Sequence, residues 1–66
     1  MIYNKVKDLC DKQGIPIMAL EQKAGLSNGT INGWKGGSKP LAESLYKVAQ
    51  VLNVTIDDLI KEEMID

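Results

Sequence analysis

Arginine, histidine and phenylalanine are absent from this 66-residue chain, cysteine occurs once and proline twice. Without histidine there is no imidazole for a catalytic triad and none of the common zinc-ligand spacings, and the lone Cys10 cannot close an internal disulfide. Nothing else in the chain assembles a nucleophile, a base and an oxyanion site, so an enzyme is not expected, nor a cofactor or metal. No apolar run approaches the roughly twenty residues that a membrane span needs. The opening MIYNKVKDLCDK also lacks a continuous signal-peptide core, so the chain is expected to be soluble and cytoplasmic. One Trp and two Tyr are the only aromatics, and the core must therefore be aliphatic.

What is present suits a single small domain over residues 1–66, closed by a charged tail at 61–66. Ile2, Val6, Leu9 and Cys10 recur at helical spacing in a first helix that Gln13-Gly14 should end. Cys10 reads there as a small buried side chain. Pro16 fits the first turn of a second helix over about 16–24, and a third is expected over about 28–35. Gly36-Gly37-Ser38-Lys39-Pro40 is a loop, after which Leu41, Leu45, Val48, Ala49 and Leu52 mark a fourth helix that Asn53 can close. Thr55 and Asp58 form a capping-box pattern for a fifth helix over about 56–61, which explains Asp57 and Asp58 without a metal.

The stretch Ile17 to Trp34 gives the frame its purpose. Leu20, Ala24, Leu26, Ile31 and Trp34 are spaced for two short helices meeting at a tight corner, with Gly25 at the joint. Ser27 offers a hydroxyl cap to the second of them. Ile31 and Trp34 share its inward face, whereas Asn28, Gly29, Asn32 and Gly33 leave the outer one small and polar. Two glycines within a short helix cost about 1 kcal/mol each relative to alanine, which implies that the surface serves a partner. The major groove of DNA fits that description. Charge is distributed accordingly, although the net is −1. Residues 12–39 carry four lysines against Glu21 alone, a balance of +3, while residues 40–66 balance at −4.

Leu20, Gly25, Leu26-Ser27, Gly29-Thr30-Ile31, Trp34, Pro40, Leu45, Val48-Ala49, Leu52-Asn53-Val54-Thr55, Asp57 and Leu59-Ile60 together resemble the phage-repressor (Cro-type) helix-turn-helix family. The resemblance covers nearly the whole chain. It implies an all-α, five-helix, lambda-repressor-like DNA-binding domain whose helices 2 and 3 form the helix-turn-helix, and a transcriptional regulator that binds a roughly palindromic operator as a homodimer. Two positions depart from the family pattern. Ile17 stands where a phosphate-holding Gln is common, and Glu21 stands where Ala or Gly is usual. A carboxylate in that crease needs a backbone or hydroxyl donor from the third helix.

On this reading Asn28, Thr30 and Asn32 contact bases, and Gly29 and Gly33 permit close approach. Ser27, Lys35, Gly37, Ser38 and Lys39 contact phosphates, with the glycines of the loop letting its N–H groups come near the backbone. With no arginine to pair with guanine, the operator should be biased toward A·T. Ile56, Ile60 and Met64 are leftover apolar residues suited to a dimer interface. The competing expectation is a protein-interaction module on the same fold that has lost DNA binding, which net acidity, Ile17 and the two glycines favour.

Overall fold

A computed structural model describes residues 2–37 and 39–64, with side chains as far as Lys61. Its five helices are α1 (Ile2–Gln13), α2 (Ile17–Lys23), α3 (Thr30–Lys35), α4 (Ala42–Leu52) and α5 (Ile56–Met64), and there is no strand among the described residues. The apolar spacing of each helix turns one stripe inward. Val6 and Cys10 of α1, Leu20 of α2, Ile31 and Trp34 of α3, Leu45, Val48, Ala49 and Leu52 of α4, and Leu59 of α5 form one buried cluster. Helix α1 lies at its centre and packs against all four others. Burial pushes the Cys10 thiol above its ordinary value, so it stays protonated and inert within the core.

Three of the helices end in the same way. The N–H of Ile15 donates to the Cys10 carbonyl at 2.9 Å, that of Leu26 to Glu21 at 2.8 Å, and that of Val54 to Ala49 at 3.0 Å. In each case the donor's apolar side chain folds back onto the core, the hydrophobic contact that accompanies a Schellman ending. The residue before each donor is left-handed: Gly14, Gly25 and Asn53 have φ of 70°, 72° and 59°. Gln13 adds a long-range tie, its Nε2 donating to the Leu52 carbonyl at 2.8 Å and so joining the ends of α1 and α4.

The capping box is formed as expected. The Asp58 N–H donates to Thr55 Oγ1 at 3.1 Å and the Thr55 N–H to Asp58 Oδ2 at 3.0 Å. The Thr55 N–H first, and then the Thr55 hydroxyl, hold the Asp58 carboxyl below its ordinary 3.8. A carboxylate held down in the fold contributes stability that is complete above the unfolded value and is lost as pH falls through the folded one. Asp58→Asn should accordingly lower Tm near neutrality, change it little at acid pH where Asp58 is itself protonated, and so flatten the dependence of Tm on pH between the two. An unchanged acid slope would show that the box does not couple to folding.

Four boundaries differ from expectation, the first being that of α4, which begins at Ala42: Leu41 is its N-cap, extended at ψ 148° and 73% exposed, and so is not on its buried face. Pro16 is the N-cap of α2 and not part of its first turn, because its ψ of 150° is extended. Helix α3 begins at Thr30, two residues later than expected, because the chain first makes a turn through Asn28 and a left-handed Gly29. Helix α5 continues to Met64 through residues 61–64, where a charged tail was expected; Lys, Glu and Met are good helix formers and no glycine or proline interrupts them.

Candidate nucleic-acid interface

Between α2 and α3 the chain turns at Gly25 and makes a second, tighter turn in which the Thr30 N–H donates to the Ser27 carbonyl at 3.1 Å. Ser27 thus takes part through its backbone. Its hydroxyl makes no cap bond to α3, contrary to expectation, since the cap residue is Gly29 at φ 91° and ψ −4°. That conformation is strained for any residue with a Cβ, so Gly29 is required by the backbone itself.

The cap comes from the preceding helix. Glu21, only 2% exposed, accepts the Gly29 N–H on Oε1 at 3.2 Å and the Ile31 N–H on Oε2 at 2.8 Å. The first turn of a helix has N–H groups that lack carbonyl partners, and a carboxylate there also complements the helix dipole. The crease residue that departs from the family pattern therefore finds a backbone donor, one of the two partners expected for it.

Ile31 is fully buried and Trp34 is 5% exposed, so α3 is anchored by the pair that the spacing pointed to. Its other face is open. Asn28, Gly29, Asn32 and Gly33 are exposed and Thr30 is half-buried. Gly33 differs from Gly29 in its backbone: a methyl built on either meets no heavy atom within 4 Å, but the φ of Gly33 is ordinary. The fold has no need of a glycine at this position.

Around this face, Ser27, Lys35, Gly37 and Lys39 are exposed, and Ser38 lies outside the described residues. Lys35 Nζ sits 5.9 Å from the centre of the Tyr3 ring on α1. Such a contact is worth about 0.5–1 kcal/mol at an exposed site and keeps the ammonium beside α3. Tyr3 was not read from the sequence as part of the site, because nothing in local spacing links it to a residue so distant in the chain. The loop glycines behave differently from expectation. The N–H groups of Gly36 and Gly37 turn back to the carbonyls of Gly33 and Trp34 at 3.1 and 3.2 Å, closing α3. Amide donation is thereby removed from the expected role of Gly37, leaving close approach.

Ile17 is half-buried and packs against the core, an apolar lid on the start of α2 where the family commonly has a polar side chain. Of the residues assigned to a dimer contact, Ile56 and Ile60 are half-buried against their own core, and the side chain of Met64 lies outside the described residues. Among the described residues, the large apolar side chains that are well exposed are Met18, Leu41 and Tyr46. Exposure of Tyr46 beside Val54 and Ile56, which line a shallow groove at the α4–α5 corner, is visible only once the two helices are packed. No helix among the described residues is long and apolar enough to cross a membrane.

Comparison with known proteins supports the same assignment. The sequence profile of the helix-turn-helix family matches residues 6–59, from the first core residue of α1 into α5. Searches of curated proteins and of solved structures returned no match. With the profile spanning all five helices and the two-helix corner at its centre, this chain belongs to the helix-turn-helix family of lambda-repressor and Cro-like DNA-binding domains.

Proposed function

We propose that the chain is a sequence-specific regulator of the phage- or mobile-element-repressor type, acting in the cytoplasm as a homodimer with α3 in the major groove of a palindromic, A·T-biased operator. The observation that carries this reading is Gly33. A glycine in a helix interior costs about 1 kcal/mol relative to alanine. Here the surrounding protein leaves room for a side chain, so the position serves something outside the fold.

Each exposed group then has a task. The Asn28 amide pairs with adenine N6 and N7, Asn32 reads the next accessible base, and Thr30 meets a thymine methyl. Gly29 and Gly33 let the backbone come close. Lys35 leaves the Tyr3 ring for a phosphate, Lys39 and the Ser27 and Ser38 hydroxyls contact phosphates alongside it, and Gly37 lets the strand pass. A second copy covers the remaining exposed surface of Ile56 and Ile60 together with Met64, which sets the two α3 helices about 34–36 Å apart, one turn of the duplex.

Selection from a random duplex pool tests the whole reading. It should return two A·T-rich half-sites in inverted orientation, with affinity falling steeply as salt rises. A pool that yields no enriched site, or binding insensitive to salt, would favour the protein-interaction alternative. Within a successful selection, Asn28→Ala should relax preference at one position per half-site by about 1–3 kcal/mol. Lys35→Ala should weaken binding to every sequence alike and reduce the salt slope by about 1 per subunit. Parallel losses on selected and random duplexes for Asn28→Ala would remove it from base reading.

A further inference from the structure

We infer that Glu21 is a positioning residue for base reading: a buried carboxylate on α2 that fixes the Asn28–Thr30 turn by clamping the N–H groups on either side of Thr30. The inference rests on the DNA-reading proposal and assigns a role in it to a residue that never touches the duplex.

An ordinary N-cap belongs to the lead-in of the helix it caps and follows that helix wherever it moves. Glu21 lies on a different helix. Its two oxygens reach across the corner to Gly29 and Ile31, the residues immediately before and after Thr30. Those bonds fix the start of α3 relative to α2, and with it the path of the turn that projects Asn28 and Thr30. Helix α3 has six residues and only two large anchors, Ile31 and Trp34, both further along. The turn's other hydrogen bonds, Thr30 N–H to the Ser27 carbonyl at 3.1 Å and Gly33 N–H to the Gly29 carbonyl at 3.0 Å, stay between Ser27 and α3 and do not tie it to α2.

The choice of a carboxylate also argues for geometry. At 2% exposure Glu21 has given up its water, and no ion pair among the described residues includes it. An apolar side chain of similar size would avoid the desolvation of the carboxylate but would leave the Gly29 and Ile31 N–H groups without an acceptor. What the carboxylate alone supplies is two acceptors at once, aimed at two donors. A glutamine of the same shape supplies one, because its amide nitrogen would confront an N–H.

Amide hydrogen exchange and duplex binding, measured together on the full chain, test the inference. In the unaltered protein the Ile31 amide, which has no helical carbonyl to bond, should be protected at least about a hundredfold. Glu21→Gln should speed exchange at Gly29 and Ile31 about tenfold or more while amides of α1 and α4 keep their rates. It should also lower affinity for the selected duplex about tenfold and leave affinity for random duplex at low salt within about twofold. An unprotected Ile31 amide in the unaltered protein, or equal losses on both duplexes with Glu21→Gln, would overturn the inference. Should Glu21→Gln fail to fold, Glu21→Asp, too short to reach both donors, carries the same comparison with the same expected loss of discrimination. If the unaltered protein does not distinguish selected from random duplex, the DNA proposal fails, and the exchange rates still decide whether the clamp exists.

Discussion

Trp34→Ala should remove half or more of the folding free energy of this domain and abolish DNA binding with it. Trp34 is 5% exposed within a core that otherwise consists of aliphatic side chains and Cys10, so its removal leaves a cavity that small neighbours cannot close. Truncations of this kind cost about 3–5 kcal/mol. A domain of this length has on the order of 3–10 kcal/mol in total, at about 0.05–0.15 kcal/mol per residue. Helix α3 is held inward by this residue and Ile31, which leaves it half-anchored as well. Urea denaturation followed by helical circular dichroism would show a broadened transition at much lower denaturant. A cooperative transition near the original midpoint would mean that Trp34 does not anchor α3.

Gly33→Ala should move stability and binding in opposite directions. Alanine gains about 1 kcal/mol over glycine in a helix interior, and nothing in the fold opposes its methyl. For a domain of this size that raises Tm by about 4–8 °C. The same methyl stands on the outer surface of α3 where the duplex is to come close, and affinity should fall at least about tenfold, about 1.4 kcal/mol. Gly29→Ala is the contrast. Its φ of 91° makes any Cβ strained, so there stability itself should drop. A Gly33→Ala protein that is both more stable and equally tight would show that this surface is not where a partner sits.

These two residues also show how far the sequence can be read. The inward pair Ile31 and Trp34 was legible because helical spacing three apart puts both on one face, whatever the exact start of the helix. The start itself was not. A serine before a short polar run is the common sign of an N-cap, yet the cap of α3 is a left-handed glycine clamped by a carboxylate ten residues before Ile31. Local propensity favours Ser27, and the tertiary contact from Glu21 overrides it. The same limit hid Tyr3, whose meeting with Lys35 depends on how α1 crosses α3. The opposite case is α5, where Thr55 and Asp58 lie close enough in sequence for their reciprocal bonds to be read directly. The two glycines of the third helix look alike as letters, and only the backbone separates one that the turn demands from one that the fold does not need.

Intermolecular nuclear Overhauser effects on a complex with the selected duplex test the central claim most directly. The side-chain amides of Asn28 and Asn32 should show contacts to major-groove base protons, including thymine methyls, with Gly33 Hα among the nearest backbone protons. Contacts arising from α4 or α5, with none from residues 28–33, would contradict it.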